Sequence, residues 1–330
     1  MKIKMKRTIY LPFCVFLIFF ATIAFTESWE KGKITFWSNG SANIMNADGT
    51  AVTKLMDVYT FKNLSFSIFS LSPDCRKVTF VIEDIVTNIR DIVVFELDSS
   101  KLINLTNGSP PASVNPRWSP DGKKIAIISY ELSNYIIQTM NSDGSNPQII
   151  YKEDDKGIIS LDWSPNGGEI AFTEENDIYT IDISSERLRR VTDGQFLLTE
   201  ELTSLRWSPD GEKFLFIAGD RRPERKDRKL YIVNIDGSNL KMILSEDGDN
   251  IDNFNSCCWS PDAQKIALSA EIRPEKQEHI WVMNSDGSNI ERLTNNDFDE
   301  YFIDWRESAF FVSEISSLIK TIWGNIKTVQ

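Results

Sequence analysis

The side chains that could do chemistry are few in kind. The chain carries one histidine, His279, against 48 aspartates and glutamates. One imidazole excludes a metal centre built on several histidines. His279 stands before Ile280-Trp281 with no serine or cysteine motif to serve, so it reads as structural. No G-x-S-x-G nucleophile elbow is present, and neither a G-x-x-x-x-G-K-[ST] nor a G-x-G-x-x-G phosphate loop occurs. Four Asn-x-Asp-Gly turns suggest calcium at first sight. A calcium loop needs ligands at alternating positions and a distal glutamate, which none of them supplies, so hairpin chemistry is the reading. No cofactor and no metal is expected. The carboxylates are numerous enough for an acid–base pair, which keeps a hydrolase or lyase at a channel mouth as the alternative to a non-catalytic protein.

Composition bounds the class. The 330 residues are 41% hydrophobic and 25% charged, with formal net charge -12, which fits a globular protein and argues against nucleic-acid binding. Residues 1–26 read as a signal peptide. Lys2, Lys4, Lys6 and Arg7 precede an uncharged apolar run, Ile9 to Phe25, with small residues at the cleavage positions near Ala24 and Thr26. The expectation is a periplasmic or secreted protein. An uncleaved N-terminal anchor is the alternative and the one expected contact with a membrane. Cys75, Cys257 and Cys258 remain, and adjacent Cys257 and Cys258 on a strand point to opposite faces, so free buried thiols are expected.

The elements that position these residues are repeats. Trp118-Ser119-Pro120-Asp121-Gly122 returns as Trp163-Ser164-Pro165-Asn166-Gly167, as Trp207-Ser208-Pro209-Asp210-Gly211 and as Trp259-Ser260-Pro261-Asp262-Ala263. Leu71-Ser72-Pro73-Asp74-Cys75 precedes them and Ile303-Asp304-Trp305 follows. The anchors lie 47, 45, 44, 52 and 46 residues apart, a period typical of four short strands per unit. A second signal falls later in each unit. Met45-Asn46-Ala47-Asp48-Gly49, Met140-Asn141-Ser142-Asp143-Gly144, Val233-Asn234-Ile235-Asp236-Gly237 and Met283-Asn284-Ser285-Asp286-Gly287 each mark a tight hairpin. One unit therefore reads as strand A ending in Trp, a Ser-Pro-Asp-Gly turn, strand B, a variable loop, strand C, an Asp-Gly hairpin and strand D.

These motifs resemble the WD40-like PD40 repeat of TolB-like propellers and, more distantly, the propeller of dipeptidyl-peptidase-IV-like proteins. The resemblance spans about residues 33–305 and implies an all-β, six-bladed β-propeller with four antiparallel strands per blade. Closure is expected by pairing the C-terminal strand, Tyr301–Trp305, with the N-terminal blade at Lys33–Phe36. The expected domains are a signal peptide at 1–26, the propeller at 27–305 and a C-terminal tail at 306–330, in which Phe310-Phe311-Val312 could form a competing strand.

Candidate sites follow from this layout. Trp118, Trp163, Trp207, Trp259 and Trp305 share one register and are expected to fill the gaps between blades. Just before them stand Ser70, Arg117, Asp162, Arg206, Cys258 and Asp304. Arg117, Asp162 and Arg206 are expected to form an ionic arc between blades. The A–B and C–D turns share one end of the molecule, and the variable B–C and D–A loops share the other, where recognition usually sits. The D–A loops are acidic, with Asp154, Asp155, Glu200, Glu201, Asp249, Asp252, Asp299 and Glu300, and one B–C loop is basic, with Arg221, Arg222 and Arg225. The expected function is a non-catalytic extracytoplasmic scaffold that holds a protein partner on this loop face. Beside the hydrolase or lyase, a carbohydrate- or cation-binding envelope propeller is the other alternative.

Overall fold

The structure is a computed structural model that describes residues 32–57, 64–99, 101–108, 112–154, 156–196, 200–220, 227–246, 250–274 and 276–307. The expected signal peptide and nearly all of the expected tail, with Phe310–Val312, lie outside them. All described elements are strands. The chain opens with β1 (Gly32–Ser38), β2 (Ser41–Asn46) and β3 (Thr53–Asp57). Next come β4 (Leu64–Leu71), β5 (Lys77–Asp84), β6 (Arg90–Glu96) and β7 (Lys101–Asn104). A third unit holds β8 (Ala112–Trp118), β9 (Lys124–Glu131), β10 (Asn134–Asn141) and β11 (Gln148–Asp154). A fourth holds β12 (Ile158–Trp163), β13 (Glu169–Glu174), β14 (Asp177–Asp182) and β15 (Leu188–Arg190). Then follow β16 (Glu200–Trp207), β17 (Lys213–Asp220), β18 (Lys229–Asn234) and β19 (Lys241–Ser245). The last strands are β20 (Ile251–Trp259), β21 (Lys265–Ile272), β22 (His279–Asn284), β23 (Glu291–Arg292) and β24 (Glu300–Glu307).

Local chemistry sets the turns. In Ser119-Pro120-Asp121-Gly122, the Ser119 Oγ accepts the Lys124 amide at 2.9 Å and donates to Asp121 at 2.7 Å. The Gly122 amide returns to the Ser119 carbonyl at 2.9 Å. This arrangement recurs at Ser72, Ser164, Ser208 and Ser260. Gly122 has φ +68°, a conformation that costs an L side chain energy. Cys75 and Ala263 occupy the same slot at φ 56° and 59°. In the Asp-Gly hairpins, Asp143 accepts the Ser145 amide at 2.9 Å, and Asn141 bonds the Ser145 hydroxyl at 2.9 Å. The turn's polar groups are thus used within the turn.

The expected six-bladed propeller closed by strand pairing is corrected on both counts. The described strands do not divide into six separate sheets. Four are separate four-stranded blades, β24-β1-β2-β3, β12 to β15, β16 to β19 and β20 to β23. The remaining eight strands form one sheet, because Arg90 of β6 pairs in parallel with Ala112 of β8. The reason is the brevity of β7. It covers only Val93–Glu96 of its neighbour and leaves the Arg90 end of β6 open to β8. The pairing of β24 with β1, with Ile34 opposite Trp305, completes one blade and does not join one sheet to the next. Around the axis the first strands pack through side chains instead, in the order β24, β4, β8, β12, β16, β20 and back to β24.

The core lies in slabs between neighbouring sheets. Trp37, Ile44 and Leu55 of the first blade meet Leu71, Val78 and Phe80 of the next unit. Ile178 and Val191 meet Leu202, Trp207 and Phe214 in the same way. Each sheet is thereby buried on both faces, which explains why strands such as Gly32–Ser38 and Lys213–Asp220 are buried along nearly their whole length instead of alternating.

Candidate functional site: an axial cavity and the loop face

The first strand of most units is kinked at a matching place. Register shifts fall between Val114 and Arg117 in β8, Ile158 and Leu161 in β12, Thr203 and Arg206 in β16, and Phe254 and Ser256 in β20. Asn115 and Ser204 sit at these bulges with φ 57° and 54°, and Phe302 has φ 56° at the register shift of β24 against β1. A bulge bends its strand and re-aims one side chain. Repeated around an axis, the bulges open a cavity of about 180 Å³. Asn115, Arg117, Ser204, Arg206, Asn255 and Phe302 are among its lining residues. They precede the Trp positions in each strand, so the cavity lies toward the loop face.

The charges around this cavity are buried. Arg117 is 5% exposed, Arg206 8%, and Asp162 and Asp304 are buried as well. The carboxylates tie neighbouring units together. Asp162 accepts the Trp207 amide at 2.8 Å, and Asp304 accepts the Leu71 amide at 3.0 Å and Arg306 Nε at 3.4 Å. Arg206 donates to the Leu205 carbonyl at 2.9 Å. The Nε atoms of Arg117 and Arg206 have no hydrogen-bond partner among the described residues. Burial, and after it the charge of Arg206, lower Arg117 to about 9, against the pull of Asp304 and Asp162. For Asp304, burial raises the carboxyl, but Arg306, Arg117 and Arg206 outweigh it and leave it below the ordinary carboxylate range. Burial also pushes the Cys257 thiol up to about 11 and raises Cys258. Cys75, Cys257 and Cys258 are free and buried.

The five tryptophans are buried between units. Trp118 Nε1 donates to the Ser70 carbonyl at 3.2 Å, and Trp163 Nε1 donates to the Arg117 carbonyl at 3.0 Å, each reaching back to the preceding unit.

On the loop face the acidic residues have separate surroundings. Asp154 ends β11 and is exposed, while Glu200 and Glu201 open β16 half-buried. Asp252 accepts two hydrogen bonds from Arg273, both 2.9 Å. Asp299 accepts the Glu278 amide at 3.0 Å. Glu300 is fully buried and accepts the Ile280 amide at 3.2 Å together with Thr294 and Asn296. Burial raises its carboxyl, against those hydrogen bonds and Arg292. His279 is also fully buried, 3.9 Å from Glu300 and 2.9 Å from Arg292. Asp155, Asp249, Arg221, Arg222 and Arg225 lie outside the described residues. Large apolar side chains stand exposed here at strand ends. Ile85 and Val86 lie in the β5–β6 turn, Tyr130 and Leu132 at the β9–β10 turn, and Phe298 before β24.

Sequence reasoning placed recognition on the loops and missed the cavity. A signal was present, since Asn115, Ser204 and Asn255 are polar residues three or four positions before the Trp of their strands. The exposed Ile85-Val86 pair and Leu132 were equally visible as apolar residues in turns.

Among the described residues no group of three or more His, Cys, Asp or Glu could hold a metal ion, and no helix is long and apolar enough to cross a membrane. The fold is related to TolB and, more distantly, to lyase and peptidase propellers. TolB from Acinetobacter baumannii superposes with a TM-score of 0.68 at 18% identity, over 87% of this chain and 70% of that one. An oligogalacturonate lyase solved in complex with manganese gives a TM-score of 0.55 at 13% identity, over 83% of this chain and 76% of that one. In sequence, the chain is 29% identical to dipeptidyl-peptidase 5 of Porphyromonas gingivalis over 148 residues, which are 38% of this chain and 21% of that protein. The chain spans no more than 32% of the curated relatives it matches first. The TolB beta propeller domain model, PD40, matches residues 128–305, more than half of the chain. The chain belongs to the PD40 family, the TolB beta propeller domain.

Proposed function

We propose that this PD40 propeller is a non-catalytic extracytoplasmic scaffold that holds a protein partner on its loop face. The observation that carries the reading is the exposed apolar set at that end. Leu132 is 86% exposed and Val86 72%, in the β9–β10 and β5–β6 turns of the eight-stranded sheet. Exposed apolar side chains gathered at one end of a molecule mark a protein interaction site. Asp154, at the end of β11 and opposite Asn134 beside the Leu132 turn, offers a charge to a basic partner residue. The basic start and apolar run of residues 1–26 support export, and the TolB-like fold agrees with it.

A carboxylate hydrolase or lyase finds less support. Glu300 is fully buried, and Glu278 is held by Asn253, Asn255 and Ser269. Such carboxylates are occupied by the fold.

Affinity capture from envelope extracts tests the proposal, with the full chain as bait. The expected result is a discrete protein set that Leu132→Asp and Asp154→Lys lose while their unfolding midpoints stay at the parent value. An unchanged protein set for both variants would overturn it.

A further inference from the structure

The axial cavity has a chemistry that the loop-face reading does not use. Two buried guanidinium groups, Arg117 and Arg206, line it, and among the described residues their Nε donors have no acceptor. A buried donor without an acceptor costs free energy comparable to a lost hydrogen bond, and more when it is charged. The surrounding ionic set is unbalanced. Arg117, Arg206 and Arg306 face two carboxylates, Asp162 and Asp304. Among the described residues this leaves one positive charge in excess around the cavity. The carboxylates cannot turn to the cavity without leaving the Trp207 and Leu71 amides. Ser160 and Ser204 also line the cavity. Their hydroxyls accept the Leu205 amide at 3.0 Å and the Cys257 amide at 3.3 Å, so each keeps a proton to donate.

We propose that the axial cavity binds a carboxylate group, held by Arg117 and Arg206. A guanidinium fork matches a carboxylate's two oxygens, and a single negative charge balances the surplus. A cation is repelled here. A doubly charged phosphate would exceed the surplus and leave a buried negative charge. The carboxylate comes either from a small free acid or from a polypeptide terminus, which present the same group. The site stands on the inner strands and does not depend on the loop-face partner.

The test titrates the full chain with acetate, and separately with a short peptide bearing a free C-terminal carboxylate or its amide, at ionic strength held constant with chloride. The readouts are the unfolding midpoint and calorimetric binding. Saturable binding by acetate assigns the group to a free acid. Binding by the peptide but not its amide, with acetate inert, assigns it to a polypeptide terminus; either result supports the site. Arg206→Gln is expected to weaken the binding at least tenfold. Thr203→Tyr fills the cavity from its wall without removing a charge and is expected to do the same, so the test survives a poorly folding arginine variant. Arg76→Gln, in a turn at the other end, should bind as the parent does. No saturable binding of acetate or peptide, or binding unchanged in Thr203→Tyr, would overturn the proposal.

Discussion

Ala263 shows how much a single position can carry. It holds φ 59° where Gly122, Gly167 and Gly211 hold the same turn in other units. The left-handed conformation costs an L residue roughly 1–2 kcal/mol, and glycine returns part of that as unfolded-state entropy. Ala263→Gly should therefore raise stability by about 0.5–1 kcal/mol in denaturant unfolding. Asp162 is the opposite case. Its removal strips the Trp207 amide of its acceptor and leaves Asp304 as the remaining counter-charge of Arg117 and Arg206. Asp162→Ala should cost roughly 3 kcal/mol, and unchanged thermal stability would refute the ionic arc. Glu300 gives a signed pH effect. Burial raises its folded-state carboxyl above the ordinary 4.5, so its stabilising share is full below 4.5 and is lost as pH rises through the folded value. Glu300→Gln lacks that loss. Its stability relative to the parent should improve between pH 4.5 and 7, and a difference constant over that window would contradict the assignment.

At the scale of elements, turns were legible in the sequence and bulges were not. Ser-Pro-Asp-Gly and Asn-x-Asp-Gly encode their hydrogen bonds locally, so strand boundaries follow from them. The bulges at Ser204 and Phe302 carry no glycine or proline signal of their own, whereas Asn115 stands before Pro116. They arise where neighbouring sheets force the inner strands to bend, which is a property of packing. The joining of β6 to β8 was illegible for a similar reason, since a repeat spacing counts units and not hydrogen-bonded sheets. Hairpin glycines also serve between units. At Gly237, φ is +85° and an added Cβ would lie 2.1 Å from the Val191 carbonyl of the preceding sheet. Gly237→Ala should destabilise by at least about 2 kcal/mol in thermal or denaturant unfolding, through strain and lost sheet contact.

For the molecule as a whole, the two ends differ in kind. One end is made of short turns whose polar groups are consumed by the turns themselves. The other presents Ile85, Val86, Tyr130, Leu132 and Phe298 with exposed Asp154. The division of the loops between two faces could be read from repeat order. Which loop residues are free to bind could not, because burial decides it: Glu300 belongs to the core and Asp252 to Arg273. Amide hydrogen exchange, run on the full chain with and without the captured protein, tests the scaffold reading most directly. The account predicts slowed exchange at residues 85–87, 130–135 and 297–299, with turns 121–123, 143–145 and 210–212 unchanged. Protection confined to those turns would contradict it.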